Sequence, residues 1–178
     1  NIGRLLDHLE KRGLRENTLV VFTGDNGMNV GQHGVYGKGN GTFPMNMYDT
    51  SVKVPMLMSQ PGTLAEGKVV DQMLSHYDVM PTLLDRLGIE NPEADELPGM
   101  SFNAILNGDA FEGRDPVVVF DEYGPVRMIR TSEWKYVHRY PYGPNELYRL
   151  SDDPGEEHNL INDGSCRGIR SEMKAQLD

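Results

Sequence analysis

Apolar residues recur at helical spacing from the start of the chain. In NIGRLLDHLEKRG, Ile2, Leu5, Leu6 and Leu9 stand at i, i+3, i+4 and i+7, and Gly13 supplies a C-terminal stop. The pattern then changes. TLVVF (18–22) is continuously apolar, which predicts a strand buried on both faces, as in a parallel α/β sheet. A helix and a strand joined by a short loop make half of an α/β unit. VPMLMSQPG (54–62) predicts a second strand closed by a Pro-Gly turn, and 69–89 predicts a short approach followed by a helix. In that helix Asp78 is placed to cap the N-terminus, Pro81 fits the first turn, Leu83, Leu84 and Leu87 form the buried stripe, and Gly88 ends it. A further short helix is expected in SFNAILNG (101–108).

From PVVVF (116–120) onward the texture alternates between apolar and polar. MIRTSEWKYVHRY and NELYRLSDDPGEEHNL, with turn residues between them, predict an antiparallel hairpin or meander. The tail from Ile161 to Asp178 is weakly helical. A boundary near Glu112–Asp115 therefore divides an α/β part, 1–112, from a small antiparallel-sheet subdomain with a terminal helix, 113–178.

Composition narrows the class. At 178 residues, with 38% hydrophobic and 25% charged positions, the chain can bury a core of its own. A net charge of −10, from 27 acidic and 17 basic residues, argues against nucleic acid or an anionic membrane as the main partner. No apolar run approaches the ~20 residues of a membrane helix. The one cysteine, Cys166, excludes an intrachain disulfide framework and a multi-cysteine metal cluster. The chain opens without Met and already in a helical pattern, so it reads as a piece of a longer protein.

Candidate chemistry concentrates in TGDNGMNVGQHGVYGKGNG (23–41), where seven glycines surround Asp25, Asn26, His33 and Lys38 at the end of a strand. Ligands of open α/β sheets bind beyond the carboxyl ends of strands. A carboxylate beside an amide oxygen is a pair of hard donors, suited to Ca²⁺ or Mg²⁺ more than to zinc, although calcium needs roughly six to eight oxygens. Glycine lets main chain approach a bound group closely, and His33 and Lys38 add groups that hold an oxyanion. On DNG alone, a plain turn is the simpler reading.

The ordered set TLVVFTGDNG, GQHGVYGKGNG and MYDTSVKVPMLMSQPG resembles the second signature region of the sulfatases, members of the alkaline-phosphatase-like superfamily. The likeness continues through SHYDVMPTLLDRLGI and LPGMSF, then RMIRTSEWKYVHRY with NELYRLSDDPGEEHNL, and so covers nearly the whole chain. The resemblance implies an α/β fold, part of an alkaline-phosphatase-like sandwich with a smaller C-terminal antiparallel-sheet subdomain. It makes 1–112 the C-terminal part of the catalytic domain. It also implies Asp25 and Asn26 as ligands of a divalent metal, usually calcium, Lys38 as a contact to a sulfate oxygen, and His33 in or beside the sulfate pocket. The substrate would be a sulfated small molecule or saccharide, and the upstream half of the same domain would be the partner.

One departure is plain. Sulfatases use a formylglycine made from a C-x-P-S-R or related motif, and Cys166 lies in SCRGIR, which does not match. The nucleophile is expected upstream, and the chain by itself should bind metal weakly and catalyse nothing. Phosphoester or phosphonate hydrolysis within the superfamily, a non-catalytic metal- or anion-binding relative, and an independent calcium-binding module are the rival readings.

Other residues carry weaker signals. Tyr48 and Asp49 fall where the family often has Tyr-Glu, and loop packing accounts for them. Arg127, Arg130, Trp134, Lys135, His138 and Arg139 form a basic, aromatic run. Arg127 stands for a substrate contact there, against cross-strand pairing on a solvated face as the simpler account. Asn40-Gly41-Thr42 matches a glycosylation sequon, and DDPGEE (152–157) reads as an acidic turn.

Overall fold

The computed structural model of the chain describes residues 1–39, 41–42, 45–121 and 125–178. Its helices are α1 (Ile2–Lys11), α2 (Asp49–Val52), α3 (Val79–Leu87), α4 (Asn103–Asn107) and α5 (Arg167–Leu177). Its strands are β1 (Val20–Thr23), β2 (Met28–Val30), β3 (Tyr36–Lys38), β4 (Met56–Ser59), β5 (Val117–Phe120), β6 (Val126–Arg130), β7 (Trp134–Arg139) and β8 (Glu146–Arg149). Two compact units result, one from 1–23 with 55–114 and one from 24–54 with 115–178. The division places 24–54 with the C-terminal sheet. Among the described residues no helix is long and apolar enough to cross a membrane.

In the first unit Gly13 takes a left-handed φ of 66° and ends α1, as its sequence predicts. β1 forms a strand where expected, but its described partner is β4 in antiparallel register, Val20 opposite Ser59 and Thr23 opposite Met56. Beside the expectation of a parallel, doubly buried strand, the described residues give β1 this one antiparallel neighbour and leave Val21 and Phe22 exposed at 37% and 48%. An apolar run shows that a strand can be covered on both faces, but says nothing of its direction or of which segment covers it.

Residues 75–88 follow the predicted helix with a different cap. Ser75 and Asp78 form a capping box around the turn at 76–78, α3 follows, and Gly88 closes it at φ 65°. The predicted stripe is corrected too: Leu83 and Leu84 are half-buried and Leu87 is exposed at 70%. The fully buried residue is Thr82, whose hydroxyl donates to Asp78 O at 2.6 Å and accepts from Phe102 N at 2.9 Å.

Asp78 is the polar centre of this unit. Its buried carboxylate accepts from Ser75 N at 2.7 Å, Met100 N at 2.9 Å and Arg114 Nε at 2.8 Å. Arg114 also donates to Pro98 O at 2.5 Å. Burial opposes ionisation of Asp78, but the guanidinium and the two amides outweigh it and hold the carboxyl below its ordinary range.

In the second unit β5–β6–β7–β8 form a four-stranded antiparallel meander in chain order, as the alternation after residue 116 predicts. Ile129, Tyr136 and Leu147 lie opposite one another and pack against Met173 and Leu177 of α5. On the other face Val126, Met128 and Val137 pack with Met47. Each such side chain, fully buried, contributes about 1.5–3 kcal/mol.

Replacing Arg114 by Met strands a buried carboxylate and is expected to cost about 3 kcal/mol at pH 7. A depressed Asp78 pKa stabilises the fold above the unfolded value near 3.8, and that contribution disappears as pH falls through the lower, folded value. The gap between wild type and Arg114→Met should therefore narrow below about pH 4. Urea unfolding at pH 7 and pH 3 measures it; an equal gap at both would show that Asp78 ionisation is not what Arg114 supports.

Candidate functional site

Asp25 and Asn26 lie just beyond β1. Lys38 ends β3, which returns antiparallel to β2 with Met28 opposite Lys38. The hairpin thus carries Lys38 back to Asp25, and its Nζ donates to Asp25 Oδ2 at 2.8 Å, both side chains being mostly exposed. Asp25 Oδ1 accepts from Asn26 N at 2.9 Å. The Lys38 ammonium first, then the Asn26 amide, hold the Asp25 carboxyl below its ordinary range. Asn26 Nδ2 donates to Gly27 O at 2.7 Å, which ties down the amide group.

Two glycines are required by this geometry. Gly27 N donates to Ser51 O at 2.8 Å, and a Cβ at Gly27 would lie 2.0 Å from Thr50 O. Gly39 has φ 57°, donates to Gly27 O at 2.8 Å, and a Cβ there would meet Asn26 Nδ2 at 3.0 Å. The backbone is packed against itself under the Asp25–Asn26 step.

The fit to a divalent cation is partial. Asp25 and Asn26 offer a carboxylate and an amide oxygen, hard donors of the right kind. Among the described residues no group of three or more His, Cys, Asp or Glu side chains is placed to hold a metal. The pair fits as part of a ligand set and not as a whole one.

His33 sits in the turn between β2 and β3 with a left-handed φ of 54°. Its ring stacks on Tyr48, centroids 3.7 Å apart and planes 5° from parallel. Arg127 is elsewhere: on β6, its guanidinium lies 5.4 Å from the Phe120 ring centre and 5.1 Å from that of Tyr140. The structure thus brings Asp25, Asn26 and Lys38 together, gives His33 a ring partner in Tyr48, and packs Arg127 on two other rings. Asn40 of the sequon lies outside the described residues.

Supporting residues that the sequence did not single out lie beneath. Buried Asn29 donates to Ser51 Oγ and accepts from Thr50 Oγ1, and Ser51 Oγ donates to Asn46 Oδ1, all at 2.5 Å. Lys135, expected on a solvated face, is fully buried; its ammonium donates to Met47 O at 3.1 Å, Glu156 Oε1 at 2.5 Å and Asp49 Oδ1. Glu156, expected in an acidic turn, is 3% exposed at φ 57° and accepts from Asp49 N at 2.7 Å through Oε2. Burial pushes Glu156 up against the pull of Lys135; for Asp49, Lys135 and Arg130 overcome burial and bring it down.

Residues 31–178 match the family described as N-sulphoglucosamine sulphohydrolase, C-terminal. The chain belongs to the sulfatase family, within the alkaline-phosphatase-like superfamily, and corresponds to its C-terminal portion. A delta 4,5-hexuronate-2-O-sulfatase of Bacteroides thetaiotaomicron is 34% identical over 171 residues, 91% of this chain and 34% of that protein. The structure of BT4656 in complex with its substrate D-glucosamine-2-N,6-O-disulfate matches with TM-score 0.85 and 27% identity, over 99% of this chain and 36% of that one. The phosphonate monoester hydrolase of Agrobacterium radiobacter matches with TM-score 0.80 and 27% identity, over 98% and 37%. The chain spans about a third of the length of the curated relatives it matches.

Gly27→Ala should destabilise the protein by about 1–3 kcal/mol, because the methyl group meets backbone that has no free end to move aside. Gly3→Ala, on α1 with nothing within 4 Å, serves as the comparison and should be neutral or stabilising by up to about 1 kcal/mol. Denaturant midpoints of the two variants check the contrast.

Proposed function

We propose that this chain is the C-terminal part of an enzyme that hydrolyses sulfate esters, and that the substrate is a sulfated saccharide. The observation that supports the reading most is the Asp25–Lys38 pair at the strand end, with Asn26 beside it. An ammonium has three donors. Among the described residues one is engaged by Asp25, and the others can meet the oxygens of a tetrahedral anion. Asp25 and Asn26 would hold a divalent cation, assigned as Ca²⁺ on the hardness of their oxygens. When bound, such an ion supplies charge neutralisation at the sulfate oxygens. Lys38 then stabilises charge that develops on those oxygens in the transition state, and acts at its strongest where water is excluded. His33, backed by Tyr48, is assigned to the wall of the anion pocket. The attacking group is assigned to a formylglycine outside residues 1–178, since no C-x-P-S-R motif occurs within them. The saccharide class is taken from BT4656 and the hexuronate sulfatase, which act on sulfated sugars by name.

Phosphonate ester hydrolysis is the second reading, favoured by the similarity to the Agrobacterium enzyme. A tetrahedral oxyanion held by a Lys and a cation serves either chemistry, so the residues at 25, 26 and 38 do not separate them.

In the full-length enzyme, Lys38→Ala should lower kcat/KM for a sulfated saccharide about 10²–10³-fold. An unchanged value would remove Lys38 from the site. The two chemistries are separated by assaying the same preparation on a sulfated sugar and on a phosphonate monoester, together with an intact mass of the protein made beside a formylglycine-generating enzyme. Preference for the sulfate ester and the mass loss of Cys-to-formylglycine conversion are the results expected.

A further inference from the structure

The Lys135 ammonium has no part in the chemistry described above, yet it is among the most completely buried groups in the second unit. It is enclosed by three oxygens, from Met47 O, Asp49 Oδ1 and Glu156 Oε1. Arg130 adds a second cation against Asp49 at 3.4 Å, so two carboxylates face two cations. A buried lysine is costly unless paired in this way, and what it grips is one short segment. Met47 and Asp49 flank Tyr48, and Glu156 holds the Asp49 amide from the other side.

That segment touches the candidate site in two places. Ser51 O accepts from Gly27 N, directly after the Asp25–Asn26 step, while Thr50 and Ser51 side chains hold Asn29 of β2. The Tyr48 ring lies flat on His33. The cage, the segment and the site therefore form one continuous chain of hydrogen bonds and ring contact, all inside a single compact unit.

We propose that Lys135 is a positioning residue of the active site. It acts as a built-in cation that fixes residues 46–52, and through them sets the place of the Asp25–Asn26 step and of the His33 ring. Asp49 and Glu156 share this role as its oxygen ligands, and Tyr48 transmits it to His33. The inference rests on the reading of Asp25, Asn26 and Lys38 as the site.

The test uses the full-length enzyme with its histidines ¹³C-labelled. A ring stacked on tyrosine gives a shifted Cε1–H resonance, assigned to His33 by its loss in His33→Gln. Tyr48→Leu gives the resonance without the ring. In folded Lys135→Met, the His33 signal should move to its Tyr48→Leu position and kcat should fall about 10- to 100-fold, the scale of a displaced reacting geometry. A folded Lys135→Met that unfolds at lower temperature, yet keeps the wild-type His33 resonance and kcat, would mean that Lys135 only stabilises the fold and would overturn the proposal. Should Lys135→Met not fold, Glu156→Gln decides. It keeps the side chain's size, removes the carboxylate charge and replaces one of the two accepting oxygens by a donor, so that the contact to Lys135 or to the Asp49 amide is lost; a moved His33 signal with reduced kcat supports the proposal, and no change in either overturns it. Lys38→Ala is run alongside. Unchanged kcat/KM in that variant defeats the sulfate-site reading, while the His33 resonance continues to report on Lys135.

Discussion

The second unit is organised around a lysine removed from water. An ammonium in a low-dielectric interior is tolerated only with its charge answered and its donors filled. Lys135 meets that condition by drawing together segments far apart in sequence: β7, the stretch around Asp49, and the turn that carries Glu156. Glu156 adopts a left-handed backbone that costs a non-glycine residue on the order of 1 kcal/mol. Its two carboxylate hydrogen bonds, one to Lys135 and one to the Asp49 amide, offset that cost. Salt screens such buried pairs far less than it screens the exposed Asp25–Lys38 pair.

The two units solve the same problem of buried charge with different geometry. Asp78 is held by a planar guanidinium and two backbone amides, a rigid fork around one carboxylate. Lys135 is a point charge with rotatable donors, surrounded by one backbone carbonyl and two carboxylate oxygens. The first locks a helix start to the loop at 98–100; the second locks a short segment under a hairpin. In each case a polar contact, and not apolar burial alone, sets the register of a loop on an element.

Much of this was legible in the sequence. Gly13 and Gly88 stop helices because only a left-handed residue fits there, and the alternation after 116 reads directly as a meander. The likeness at 23–41 drew attention to Asp25, Asn26 and Lys38, and the β2–β3 hairpin brings Lys38 to Asp25. The buried cage was not legible, for a physical reason. β7 is covered on both faces, so its two-residue period carries no inside–outside signal, and a lysine within it looks like any solvated charge. The carboxylate partners of Lys135 lie 86 and 21 residues away, beyond the range of local pattern. Leu87 misled in the opposite sense: helical spacing made it part of a stripe, while the buried position on α3 belongs to Thr82, a residue chosen for its hydroxyl.

An internal ammonium also separates assembly from supply. Proteins that rely on a captured structural ion can complete their folds only where that ion is available, and chelators undo them. Here the cation that braces residues 46–52 is part of the polypeptide and arrives with it. The contacts that hold residues 46–52 therefore draw on no ion from solution.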